Sequence, residues 1–445
     1  MTISEQYRSS MMAGMAIMVG LFILLVTANA AQAQTFQVLH TFTGGADGAY
    51  PVGGLTMDRA GNLYGATSAG GYLEGYCETE RGANGCGVVF KVAHEGSGWV
   101  LSPLYAFMGG SDGLFPVGRV IFGPDGALYG VTQAGGGVDC NAGFATCGVV
   151  FRLTPPASVC KSFICTWQES TILSFNGPGG AQPTSEVVFD RAGNLYGTTY
   201  YGGGNGNDIC IYEGNGCGTV YKLTPSNGTW TETVLHAFPA TGFDGQNPDA
   251  NLIVDSAGNL YGSTVAGGGA GLGSVFQLSP SGSGWTEDLL YNFVYTNGNG
   301  IEPEGGLLLA SGNLLGTTPS GGTGGGGTVF QLTPGQGGWT FNLMYSLTGQ
   351  DGFGPQASLT MDAAGNLYGT TAAGGAYGYG SAFKLTPSNG GWTYTPLHDF
   401  TGGSDGGYIS SNLIMDANGN LYGVASGGAS QSCFDGCGVV FEITP

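Results

Sequence analysis

Carboxylates and tyrosines recur at fixed offsets along this 445-residue chain, and they are its first candidates for chemistry. Asp-Gly pairs at Asp47, Asp112, Asp244 and Asp351 each stand four residues before a proline, at Pro51, Pro116, Pro248 and Pro355. A fifth pair, at Asp405, lacks the proline, and Gly179 and Asn299 hold the equivalent place before Pro183 and Pro303. Asp followed by Gly is ordinary turn chemistry, and its repetition favours that reading. Gathered on one rim, the same carboxylates would form an acidic ring able to hold calcium through oxygen ligands. Function usually breaks repeat symmetry, which makes Glu186, Asp249, Glu302 and Glu304 the better candidates for ligand contact. Paired carboxylates there could serve as acid and base on a sugar, with Arg119 the nearest basic partner.

Tyrosines crowd into segments of variable length, at Tyr72 and Tyr76, Tyr200 and Tyr201, Tyr212, and Tyr377 and Tyr379. Aromatic faces suit sugar rings, because stacking covers the apolar face while polar neighbours take the hydroxyls. Packing over glycine-rich backbone is the competing account. Histidine chemistry looks excluded: His40, His236 and His398 share one offset, where other copies carry Tyr105, Tyr291 and Tyr345, so they fall on separate units, and His94 belongs to a hairpin on the opposite rim. A histidine metal site or a Ser/His/Asp triad needs its members within hydrogen-bond reach, and none is expected. No glycine-rich loop is followed by the Lys and Ser/Thr of a phosphate cradle.

What must position these residues is a repeat. GNLYG or a close variant ends at Gly65, Gly130, Gly197, Gly262, Gly316, Gly369 and Gly423, and a GxVFxL segment follows each copy. In the first unit, 53–58 reads as a strand, Asp58 and Asn62 as its turn, 62–68 as a second strand, 87–92 as a third and 99–107 as a fourth. Four antiparallel strands make one propeller blade, so the chain reads as all-β, a seven-bladed β-propeller. Six fourth strands open on a tryptophan, at Trp99, Trp167, Trp230, Trp285, Trp339 and Trp392, placed to pack between blades. The seventh unit lacks a fourth strand, and TFQVLHTF at 35–42 matches the missing pattern. The amino-terminal segment is therefore predicted to complete the last blade and close the ring, leaving no free sheet edge.

Composition agrees with a packed fold: glycine reaches 89 residues, but 42% of the chain is hydrophobic and lies in short alternating runs between the glycines. Residues 1–33 read as a secretory signal, with Arg8, an apolar run over 11–26 and small residues at Ala31 and Ala33. No membrane span is expected once it is removed, which leaves 34–445 as the propeller. The ten cysteines fall into close pairs, Cys77 with Cys86, Cys140 with Cys147, Cys160 with Cys165, Cys210 with Cys217 and Cys433 with Cys437. Local disulfides in a secreted or periplasmic protein are the simplest account, and no thiolate spacing suits zinc. A net charge of −20 repels phosphate backbones and argues against nucleic acid.

The DxAGNLYGTTxxGG and GTVFKLTP pattern resembles the tandem repeat of the choice-of-anchor GloVer-containing proteins, over about 35–445. That resemblance implies a propeller-like, exported bacterial protein of uncharacterised function, commonly bearing a carboxy-terminal anchor; this chain departs from it by ending on a blade. The DxxGNLY turn is also similar, over a short stretch, to those of NHL and lyase-type propellers. The expectation is an exported, monomeric binding or scaffold protein that holds a glycan or other envelope component on the rim formed by the DGxxP and Tyr-rich loops. The competing reading is a polysaccharide lyase or hydrolase using rim carboxylates. No metal or cofactor is expected, calcium being the one ion the acidic rim would suit.

Overall fold

Each blade is a four-stranded meander whose sequence motifs lock first its turn, then its core, then its neighbour. The computed structural model describes residues 34–72, 77, 85–137, 147–156, 167–204, 216–240, 243–295 and 298–445. The leader expected over 1–33 lies outside them, and no helix among the described residues is long and apolar enough to cross a membrane.

In the first blade the strands are Ala49–Met57, Leu63–Ala69, Val88–Glu95 and Gly98–Ala106. Asp58 closes the first turn: its Oδ1 accepts the Ala60 and Asn62 backbone N–H groups at 2.8 and 2.9 Å, and its Oδ2 accepts the Asn62 amide at 2.7 Å and the Tyr64 hydroxyl at 3.1 Å. Asp190, Asp255, Asp362 and Asp416 repeat this pattern. In the second blade Ala127 replaces the asparagine, and Arg152 donates to Asp125 instead.

The final glycine of GNLYG lies beneath the aromatic of GxVF. A Cβ on Gly65 would stand 2.6 Å from Phe90 Cζ, and the same contact recurs between Gly262 and Phe276 and between Gly423 and Phe441. Only hydrogen fits there, so the ring can be buried completely. Each such ring contributes roughly 2–3 kcal/mol of apolar burial.

Seven four-stranded antiparallel sheets of this kind form a ring, a seven-bladed β-propeller. The seventh sheet pairs Thr35–Thr41 with Val439–Thr444, followed by Leu421–Ala425 and Ile414–Met415. The amino-terminal strand thus closes the last blade, as the sequence predicts.

Neighbouring blades meet through three repeated contacts. The tryptophan of one blade packs on the GNLYG tyrosine of the blade before it, with ring centroids 6.0–6.4 Å apart for Trp167 on Tyr64, Trp230 on Tyr129, Trp285 on Tyr196 and Trp339 on Tyr261. Trp99 reaches across the closure to Tyr422 at 6.2 Å. Next, the proline of DGxxP sits on the GxVF glycine of the preceding blade: an added Cβ would lie 2.4 Å from Pro116 Cδ at Gly87, 2.7 Å from Pro303 Cδ at Gly273 and 2.6 Å from Pro51 Cδ at Gly438.

The third contact is a backbone hydrogen bond. The residue before the proline, or before Ile409 in the seventh unit, adopts a left-handed conformation, with φ between 52° and 59° at Tyr50, Phe115, Gln182, Asn247, Glu302 and Tyr408. Its N–H then donates to the residue before the neighbour's GxVF glycine, at Cys437, Cys86, Cys147, Cys217, Leu272 and Tyr379 respectively, over 2.7–3.0 Å. Strain of this kind, about 1 kcal/mol or more per residue, persists only where its surroundings over-determine it.

Disulfides clamp the acceptor side of this joint. Cys77–Cys86 and Cys433–Cys437 are bonded, with Cα atoms 4.9 and 5.1 Å apart. Cys147 and Cys217 are disulfide-bonded as well, while Cys140, Cys160, Cys165 and Cys210 lie outside the described residues.

Two expectations test this account. Gly273→Ala, which forces a Cβ to 2.3 Å from the Thr264 carbonyl oxygen at a φ of 90°, lowers stability to urea by about 2 kcal/mol or more. Gly284→Ala, with open space around it, shifts it by less than about 0.5 kcal/mol. Burial alone would push the carboxyls of Asp58, Asp190, Asp255 and Asp362 up, but hydrogen bonds from the turn, led by the asparagine amide, outweigh it and hold them below their ordinary 3.8. The stability they add is present above about pH 4 and is lost as pH falls through their folded values. Acid unfolding followed by circular dichroism is therefore expected to begin at higher pH in Asp362→Asn than in the parent chain.

Candidate functional site

The DGxxP loops and the loops between second and third strands share one rim, as the repeat implies. Gly71 donates to the Gly45 carbonyl, Gly203 to Gly177 and Ala429 to Gly403, each bond joining one loop class to the other.

On that rim the DGxxP carboxylates fold back onto their own turns. Asp47 accepts from the Thr43 backbone N–H at 2.9 Å and from His40 Nε2 at 3.1 Å. Asp405 repeats this with Thr401 and His398. Asp112 accepts from the Tyr105 hydroxyl and two backbone N–H groups, and Asp351 from the Tyr345 hydroxyl and Thr348. The fourth-strand His or Tyr and the loop Asp are thus one unit, although the sequence treats them as separate columns. In the fifth unit Asn299 meets Tyr291 in the same way.

Several departures from the repeat meet across blade boundaries. Arg119 grips Glu186 bidentately, Nε to Oε2 at 2.7 Å and Nη2 to Oε1 at 3.0 Å. The Glu186 backbone N–H donates to Asn251 Oδ1 at 2.9 Å, and Ser358 N–H to Asn412 Oδ1 at 2.7 Å. The first strand is nine residues long in Ala49–Met57 and two in Val188–Phe189 and in Ile253–Val254.

Two positions earlier in the repeat, Asp249 and Glu304 lie near each other, with Gln356 donating to Glu304 at 2.7 Å. Burial pushes both carboxyls up; Thr184 partly offsets it at Asp249, and the nearby Asp249 and Glu302 charges help bring Glu304 to about 7. Glu302 itself occupies the strained joint position before Pro303. The structure therefore brings together Asp249 and Glu304, and separately Arg119 and Glu186.

The tyrosines separate into different settings. Tyr200 and Tyr201 lie edge to face at 4.7 Å, Tyr72 and Tyr377 are exposed, and Tyr76 and Tyr212 lie outside the described residues. Tyr379 instead lines a rim cleft of about 560 Å³ between the sixth and seventh blades, with Tyr408 edge to face against it at 5.6 Å. Both rings are more than a third exposed. Tyr379 rests over Gly402, while Ser404, Ser430, Gln431 and Asp435 supply polar groups around the opening. Sequence reasoning missed Tyr408, because it falls at the joint position, where other copies hold residues of every type.

A further convergence lies between the third and fourth blades. His236 Nε2 stands 3.0 Å from Asp244 Oδ2 and 3.9 Å from Glu287 Oε2. Burial and the Asp244 carboxylate push Glu287 up to about 8, while Asp244 and Glu287 raise His236 against its own desolvation. Glu287 stands two residues after Trp285, a column that holds Glu169 and Glu232 in the two preceding blades and Phe341, Tyr394 and Phe36 elsewhere. That column was the available signal. Glu232 lies against Gly179, where this loop lacks its aspartate.

The family model described as the Gloeobacter/Verrucomicrobia repeat matches residues 25–164, 137–340 and 288–445. No curated protein matches the chain. Among solved structures, a gluconolactonase of Xanthomonas campestris is similar at 13% identity and a TM-score of 0.36, covering 62% of this chain and 74% of that one. The NanB sialidase of Streptococcus pneumoniae is similar at 13% identity and 0.42, covering 87% and 67%, and a protein of unknown function from Dyadobacter fermentans at 10% and 0.41, covering 82% and 98%. Likeness at this level says nothing about activity.

Because Glu304 titrates near 7 in the folded chain, its ionisation opposes folding above the ordinary carboxyl range, increasingly so up to that value. Glu304→Gln is expected to raise Tm more at pH 8 than at pH 5; an equal shift at both would contradict the buried-carboxyl assignment.

Proposed function

The chain belongs to the Gloeobacter/Verrucomicrobia repeat family, and from that premise we propose that it is an exported, non-catalytic binding propeller, monomeric in solution, that holds an extracellular glycan on its rim. The observation that carries this reading is the cleft of Tyr379 and Tyr408, two exposed aromatic rings set at 73° to each other amid backbone amides and small polar side chains. A sugar ring offers one apolar face and a fringe of hydroxyls, and this lining offers both complements. The disulfides fit an oxidising compartment.

Binding rather than cleavage is favoured by how the rim carboxylates are used. Asp47, Asp112, Asp351 and Asp405 hold their own turns, and Arg119 is tied to Glu186, so neither supplies an acid and a base converging on the cleft.

A panel of soluble polysaccharides assayed for both affinity and chain scission tests the proposal. Retention of at least one polysaccharide without shortening is expected, and Tyr379→Ala and Tyr408→Ala each weaken it by about tenfold. No binding anywhere on the panel, or cleavage of the bound chain, defeats the reading.

A further inference from the structure

We propose that His236, Asp244 and Glu287 form a divalent transition-metal site at the joint between the third and fourth blades, with zinc its best-suited ion. Among the described residues these are the one set of three His, Cys, Asp or Glu side chains whose ligand atoms lie within 4.8 Å of one another. A tetrahedral zinc bound by nitrogen and oxygen at about 2.0–2.1 Å places neighbouring ligand atoms about 3.3 Å apart. The distances from His236 Nε2, 3.0 Å to Asp244 and 3.9 Å to Glu287, bracket that value, so small side-chain movements suffice.

Supporting contacts orient the ligands. The Gly245 backbone N–H donates to Asp244 Oδ1 at 2.7 Å, leaving Oδ2 toward the imidazole, and Phe238 holds the His236 ring edge to face at 4.6 Å. The side chains stay 16–21% exposed, so the cluster is reached by solvent.

Glu287 carries a polar atom that its packing leaves unsatisfied. Its Oε1 is buried without a hydrogen-bond partner among the described residues, a costly arrangement for an acid beside a second carboxylate. A bound cation would satisfy both carboxylates at once. An imidazole with two carboxylates suits zinc, manganese or cobalt; calcium prefers oxygen alone.

The molecule carries its own controls. His40 with Asp47 and His398 with Asp405 reproduce the first two ligands. The third position is apolar in both: Leu101 takes it beside His40, and Phe36 stacks on His398 at 3.8 Å. Three ligands therefore converge at one joint, and the His–Asp pair alone is the common structural element.

Calorimetric titration of the purified chain, free of any polyhistidine tag, with zinc chloride tests the assignment, with calcium chloride as a parallel arm. One zinc per chain is expected. His236→Tyr, which installs the residue found at this offset in Tyr105 and Tyr345, and Glu287→Gln each weaken binding by at least about tenfold, whereas His40→Tyr leaves it unchanged. A cooperative thermal unfolding transition without metal shows that the variants fold. Absence of zinc binding in the parent chain, equal binding in Glu287→Gln and His236→Tyr, or a site that takes calcium and not zinc overturns the proposal.

Discussion

The ring depends on a close approach between a proline and a glycine at the joints between blades. The proline of DGxxP can rest on the neighbouring GxVF backbone only where no Cβ intervenes, as at Gly87, Gly148, Gly218, Gly273, Gly327 and Gly438. This fixes the distance between blades, and the strained residue before the proline then reaches across with its backbone N–H. Two motifs that read as independent turn and strand signals are thus the two halves of one contact. Local disulfides on the acceptor side belong to the same device, since Cys86, Cys147, Cys217 and Cys437 carry the carbonyls that receive those bonds.

The joint between the sixth and seventh blades is where this device is relaxed. Ile409 takes the place of the proline and Tyr379 that of the cysteine, yet the bond from Tyr408 N–H to the Tyr379 carbonyl remains, at 2.9 Å. Both partners now carry aromatic side chains, and the cleft opens above them. The cleft is therefore the structural joint itself with its side chains exchanged.

Elsewhere, repetition and deviation sort cleanly by role. Positions present in most copies, such as Asp58 and its counterparts or the Asp of DGxxP, make turn and joint contacts. Positions that deviate meet partners across blade boundaries: Arg119 meets Glu186, Asp249 approaches Glu304, and Glu287 joins the repeated His–Asp pair at His236 and Asp244. Each meeting pairs a side chain from one unit with one from the next, some 40 to 70 residues away in the chain.

Sequence alone determined the number of blades, their four-strand plan, the closure by 35–42 and the rim on which the two loop classes meet, because each is written locally and repeated. A turn aspartate, an alternating strand or a tryptophan at constant offset acts within a few residues of itself, and periodicity multiplies that local signal. Tertiary structure decided which departures face each other. The partner of His236 proved to be Asp244 with Glu287, and the partner of Tyr379 proved to be Tyr408, because contact across a joint depends on how two blades are turned and spaced. No period in the chain encodes those angles; they arise from packing a proline on a glycine and a tryptophan on a tyrosine until the ring closes.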